Sequence, residues 1–265
     1  MQAPKPHHLL SMLKATLTSQ GIDVDAVVAE FGQVRASEER THGKQFTLRE
    51  HVRGLILSLL SNQRPWGPIA RNLSQIEAVF LGFDPERVLA SDPNQLIGAI
   101  RELRCGNRQI RKQMHFLGGN IEKFKRIVFD YGSMDQFVTS ADASKIAIKL
   151  SKPASEYKLK HVGYTLALEY LRNVGIRAGK PDIHVRRLLS GERLAYIPKY
   201  PSEEQAYRLV AQLASDAACN PTYLDNLLWM FCAQDYGKVC GACPRCSVCG
   251  FVDNCNYVDR YNKTA

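Results

Sequence analysis

The chain has 265 residues, 45% of them hydrophobic, and carries 35 Lys and Arg against 26 Asp and Glu, a net charge of +9. That length suffices for one large or two modest domains with real cores, and the basic balance favours an anionic partner, nucleic acid before others. The longest apolar run, 55–60, is far too short to span a bilayer, and the N-terminus, with Lys5, His7 and His8, lacks the apolar core of a secretory signal. An intracellular protein of cytoplasm, nucleoid or nucleus, not secreted and without membrane contact, is therefore expected. Eight cysteines in a reducing compartment should not form disulfides, so a dense group of them suggests metal.

Leu9, Leu10, Met12 and Leu13, then Val24, Val27, Val28 and Phe31, recur at three- and four-residue spacing. They predict two short helices before a loop that reaches residue 46. Thr47 with Glu50 makes a capping box, and Leu48, Val52, Leu55, Ile56, Leu59 and Leu60 form a broad apolar face behind it. That helix ends in Ser61, Asn62, Gln63, Arg64, Pro65 and Trp66. A second helix is predicted over 68–80, with Ile69, Leu73, Ile76, Val79 and Phe80 on one side. Asp84 and Asp92 each precede a Pro, the arrangement that starts a helix, and predict helices over 85–90 and 93–103. Arg104, Cys105, Gly106, Asn107 and Arg108 break the pattern. One long helix follows, carrying Ile110, Met114, Leu117, Ile121, Phe124 and Ile127, and a short one is expected over 142–150.

The stretch 159–189 brings three features together. Gly163 sits in a tight turn before a helix, where backbone N–H groups can meet an anion such as phosphate. Asp182 stands directly before another helix, where a carboxylate can cap free N–H groups. Arg186 and Arg187 follow on that helix. Each feature alone has an ordinary explanation, a turn glycine or a plain cap. Helices over 204–217 and 221–232 come next, then five cysteines within 240–255: Cys240, Cys243, Cys246, Cys249 and Cys255. Apolar runs of period two are few, so an all-α protein is expected.

Together the hairpin and the cysteine loop resemble the helix-hairpin-helix DNA glycosylases of the endonuclease III and adenine glycosylase group. Val162, Gly163 and Ala167 match that family's Leu-Pro-Gly-Val-Gly-x-x-x-Ala hairpin. Asp182, Ile183, His184 and Val185 match its catalytic Val-Asp-Thr-His-Val stretch. Cys246, Cys249 and Cys255 match the last three positions of its Cys-x6-Cys-x2-Cys-x5-Cys loop. The likeness covers residues 47 to 255. It implies a two-lobed all-α fold, with a six-helix barrel domain over 47–175 and a second helical lobe from 1–46 plus 176–265. That lobe would end in a [4Fe–4S] cluster loop at 240–255. Double-stranded DNA containing a damaged, mismatched or modified base would lie in the cleft between the lobes, with Asp182 at its mouth, and a monomer is expected.

The resemblance also assigns roles. Asp182 would be the catalytic acid: a carboxylate near C1′ stabilises the positive charge that builds on the sugar as the base leaves, and can help activate water. A carboxylate is the ordinary form of Asp at neutral pH. Val162, Gly163 and Thr165 would grip a phosphate, Gln63 would enter the gap left by the extruded base, and Trp66 could stack on a base. Arg104 or Cys105 would fall at the wedge position, with Asn107 in the same DNA-facing loop, and Arg186 would face the backbone. Cys240, Cys246, Cys249 and Cys255 would ligate the cluster, with Cys243 as a substitute; Arg245, Arg260 and Lys263, in and after the loop, fit phosphate contact. Zinc is the rival metal, but its cysteine pairs are usually separated by a long loop.

The chain departs from the family in places. Lys160 and His161 replace the hairpin's Pro-Gly, and Asp182 lies one residue closer to the hairpin, after Pro181. Thr165 occupies the position where bifunctional members carry a Schiff-base Lys. These departures point to a divergent, monofunctional enzyme of base excision repair. The neighbouring Lys158 and Lys160 keep a glycosylase/lyase open. A catalytically silent DNA-damage-binding protein, or an RNA-binding iron–sulfur or zinc protein, are the rivals from other classes.

Overall fold

The computed structural model describes residues 2–258. Among them there is no strand, only an isolated bridge between Ser190 and Ile197. The helices are α1 (Pro6–Ser19), α2 (Val24–Phe31), α3 (Gln33–Thr41), α4 (Leu48–Leu60), α5 (Gly67–Arg71), α6 (Leu73–Val79), α7 (Pro85–Leu89) and α8 (Pro93–Glu102). They continue with α9 (Ile110–His115), α10 (Leu117–Tyr131), α11 (Met134–Thr139), α12 (Ala143–Ser151) and α13 (Tyr164–Asn173). The last three are α14 (Ile183–Leu189), α15 (Glu203–Asp216) and α16 (Pro221–Cys232).

Local chemistry sets many of these boundaries. Thr47 and Glu50 close a reciprocal capping box on α4, and Asp84, Asp92 and Asp142 cap α7, α8 and α12. Two predicted helices are each divided in two. The expected helix over 68–80 breaks at Asn72, whose side-chain amide takes the Pro68 carbonyl at 2.8 Å in place of the backbone bond that would continue the helix. The expected helix from Ile110 bends at Phe116, which ends α9 and starts α10 with φ −99° and ψ 0°. α3 and α11 lie where no helix was expected. α3 buries only small or polar groups such as Gln33, Ala36 and Ser37, which leave no apolar stripe to read.

The chain divides into two compact units, one of residues 1–34 with 177–265 and one of residues 35–176. In the middle unit α4 packs on α13, and α13 on α12. Val52, Leu55, Ile56, Leu59, Ala167, Leu168, Leu171 and Val174 are buried there. Arg40 joins α3 to this unit by two bonds to the Asp135 carboxylate, at 2.6 and 3.0 Å, and by donating to the Val174 carbonyl. Gly175 follows with φ +79°, and a Cβ there would collide with the Ala36 carbonyl, so only glycine fits. In the other unit α1, α14 and α15 pack around α16, burying Leu9, Leu13, Leu17, Val185, Leu188, Leu224, Leu228 and Phe231.

Candidate active site

The hairpin lies between α12 and α13. Gly163 is the N-cap of α13 and is exposed, and no side chain caps the helix. Val162 is buried and Thr165, in the first turn of α13, is half-buried. The turn carries Lys160 and His161. His161 takes a left-handed φ of +58° and its ring meets Phe116, 44% exposed, at 5.1 Å. Lys160 projects outward while Asn120, a buried residue of α10, holds it by both backbone groups: Lys160 N–H donates to Asn120 Oδ1 at 2.7 Å, and Asn120 Nδ2 donates to the Lys160 carbonyl at 3.0 Å. Lys158 Nζ donates to the Leu159 and Val162 carbonyls. Burial and the charge of Lys160 push the Lys158 amine down. Sequence reasoning did not single out Asn120 or assign Lys158 this bracing role, because neither belongs to the motif.

Two further loops of the same unit are joined. Arg64 donates to the Gly106 carbonyl, tying 61–66 to 104–109. Gln63 and Arg104 are exposed and both left-handed, at φ +51° and +53°. Non-glycine residues held in that region cost energy and concentrate at functional sites. Asn107 turns inward: Nδ2 donates to the Leu59 carbonyl at 2.7 Å and to Gln113 Oε1 at 3.0 Å. Cys105 is buried with its thiol toward the Leu103 and Pro68 carbonyls. Trp66 is half-buried, and its Nε1 is buried without a hydrogen-bond partner among the described residues.

Asp182 stands in the other unit as the N-cap of α14. Oδ1 accepts from His184 N–H at 2.8 Å and Val185 N–H at 3.2 Å, while Oδ2 takes no hydrogen bond among the described residues. The residue is half-buried, beside Ile183, which is 61% exposed. Its approach is fixed by α16. Asp225 Oδ1 accepts from Lys180 N–H at 2.8 Å, and Thr222 bonds both backbone groups of Ala178. Gly179 passes so close that a Cβ would stand 2.8 Å from Val210 Cγ1. Thr222 and Asp225 are buried polar residues on an apolar helix, a signal present in the sequence but not used. Arg186 Nε donates to the Pro201 carbonyl at 2.8 Å, and its guanidinium covers Tyr200 at 4.7 Å. Burial pushes the His184 imidazole down, partly offset by Asp182.

The cysteine loop follows α16. Cys240 and Cys255 are buried, Cys246 and Cys249 half-buried, and Cys243 exposed. Burial pushes the Cys249 thiol up to about 12, and Cys240, Cys255 and Cys246 add to the rise. A hydrogen bond with Cys232 holds Cys240 down to about 7, against burial and with help from Arg193 and Arg187. Cys246 and Cys255 each lie within electrostatic reach of Cys240 and Cys249. No group of three His, Cys, Asp or Glu among the described residues closes on a single metal ion; a four-iron cluster instead takes four separate thiolates. Arg245 is engaged inside the protein, donating to the Gly237 and Lys238 carbonyls and to Gln20. Arg260 and Lys263 lie outside the described residues.

No protein-family model matches the chain, and no curated protein matches it. Two solved structures do. One is an 8-oxoguanine glycosylase/lyase of Methanocaldococcus jannaschii in complex with a 15mer DNA containing 8-oxoguanine. It is 18% identical with a TM-score of 0.54, over 83% of this chain and 96% of that one. The other is the 8-oxoguanine DNA glycosylase of Thermotoga maritima, 20% identical with a TM-score of 0.54, over 86% of this chain and 98% of that one. The chain therefore shares the fold of these two glycosylases, all-helical among the described residues, as the resemblance carried by the hairpin and the cysteine loop implied. Among the described residues no helix is long and apolar enough to cross a membrane.

Proposed function

We propose that this protein is a DNA N-glycosylase of base excision repair, with Asp182 as its catalytic acid. The observation that carries the reading is the state of that carboxylate: one oxygen is held by two α14 amides and the other is unclaimed, beside exposed Ile183. The cap fixes the carboxylate's orientation, which leaves Oδ2 for the anomeric carbon or for a water attacking it. The uncapped amides of α13 at Gly163 supply the phosphate grip, and Gln63 and Arg104 supply side chains to the strand that loses its base. Duplex DNA bearing a lesion is the partner, and 8-oxoguanine, which the two similar proteins act on, is the first lesion to test.

The same reading makes the enzyme monofunctional. Thr165 has no amine, and the Lys158 amine is occupied by two carbonyls. The M. jannaschii protein, a glycosylase/lyase, favours a second reading in which exposed Lys160 forms the Schiff base. Cys240, Cys246, Cys249 and Cys255 would hold a [4Fe–4S] cluster, which serves as a structural cross-link.

The test uses purified protein on oligonucleotides each carrying one lesion, with base release read after hot alkali. Asp182→Asn should slow release by ~10²–10⁴-fold while binding to the same duplex is retained. Base release by the variant at the parent rate would overturn the reading. Borohydride trapping on abasic DNA should yield no adduct; an adduct lost in Lys160→Met would establish the lyase.

A further inference from the structure

Arg193 is 5% exposed, yet among the described residues no carboxylate pairs with it. Its Nε is buried without a hydrogen-bond partner. Its guanidinium lies over the Tyr257 ring at 3.8 Å, and its carbonyl accepts from Asn256 N–H at 3.0 Å. Both contacts fall immediately after Cys255, so the arginine is fastened to the end of the cysteine loop. It also bears electrostatically on Cys240, Cys246 and Cys255. A buried guanidinium without an anion is strongly disfavoured, and a ring face compensates only a fraction of the charge. Cys240 takes a side-chain hydrogen bond from Arg193, but a neutral thiol carries no charge to set against the guanidinium.

We propose that Arg193 is the internal counter-charge of the thiolate-bound cluster, holding it from the inside of the loop and stabilising its more reduced state. The inference rests on the cysteine loop carrying such a cluster, and it adds a residue that no cysteine spacing reveals. Four thiolates round a four-iron core carry net negative charge, and Arg193 supplies a positive charge that water cannot reach to screen. Two consequences follow. The cluster should raise the stability of the parent chain by more than it raises that of a chain with a neutral side chain at 193. The cluster should also be harder to reduce when that charge is absent.

The experiment compares the full-length parent, Arg193→Met and Arg193→Lys, each reconstituted with ferrous iron and sulfide or left without iron. Urea midpoints are measured for both forms, and the loaded forms are titrated electrochemically. Iron and acid-labile sulfide are counted first. The expected result is a smaller gain in midpoint on loading for Arg193→Met, together with a more negative reduction potential. Arg193→Lys, which keeps the charge, should stay near the parent in potential. Equal gains and an unchanged potential in Arg193→Met would overturn the proposal. If Arg193→Met does not fold without iron, the potentials of the loaded parent, Met and Lys forms decide alone. A parent chain that takes up no iron would sink the cluster reading itself, a separate outcome read before any variant is compared.

Discussion

Arg40, half-buried, and Arg193, buried, place the same cation in the two units and compensate it differently. Arg40 reaches a carboxylate: Asp135 receives it by two bonds, His51 Nε2 stands 3.4 Å from the same acid, and His51 Nδ1 meets the Tyr170 hydroxyl at 2.6 Å. Against burial, which pushes it up, the bonds from His51 and Arg40 and the Arg40 charge hold the Asp135 carboxyl well below the usual range. Among the described residues Arg193 has a ring, a loop and nearby sulfurs, but no acid. The middle unit thus carries its own balance of charge within amino-acid side chains. In the unit with the cysteine loop, Arg193 has no such acid among the described residues.

The comparison can be broken most severely on its balanced side. Asp135→Asn leaves Arg40 facing a neutral amide and should cost about 3–5 kcal/mol, read as a fall in the urea midpoint. A loss below about 1 kcal/mol would mean that the pair behaves as a surface ion pair and that the contrast with Arg193 is empty.

Titration gives the next test. Burial pushes His51 down, against Asp135, so the folded chain resists a proton that the unfolded chain takes up below about pH 6.5. Stability from this group is therefore present above that pH and is lost as the pH falls below it. Asp135 acts lower: its contribution is present above about pH 4 and is lost as the pH drops toward its depressed folded value. Urea midpoints at pH 7.5, 5.5 and 3.5 should show both losses in the parent. His51→Gln should show a smaller fall between pH 7.5 and 5.5; an identical fall would assign the sensitivity elsewhere.

A neutral tie should matter less than either charge. Asn120→Ala removes the side chain that holds both backbone groups of Lys160 and should lower stability by about 1–3 kcal/mol, with weaker duplex binding as the hairpin loosens. Unchanged affinity would show that the turn keeps its shape through Lys158 and His161 alone. The smallest effect is expected at Cys243, which is exposed and outside the group of four. With the proposed cluster, Cys243→Ser should take up as much iron as the parent, whereas Cys255→Ser should take up less. Iron loss on the first substitution would redraw the set of four proposed for the cluster.

Signals that act within one helical turn were legible in the sequence. The Thr47–Glu50 box, the Asp-Pro starts of α7 and α8, the cap at Asp182 and the apolar faces of α4 and α16 need only residues three or four apart. The motif spacings around Gly163, Asp182 and the cysteines likewise pointed to the fold that the two solved structures share. Three features needed the folded chain. Asn72 and Phe116 divide helices that periodicity reads as continuous, because an apolar stripe can run on through a broken backbone. The hairpin turn is held by Asn120, forty positions from Lys160, and by Lys158 turning back on its own loop. Arg193 reads as one more basic residue until burial removes its water and no carboxylate among the described residues takes the water's place. Local pattern fixes which segments coil and what caps them; which charges lose their solvent is decided only when segments far apart in the chain close over them.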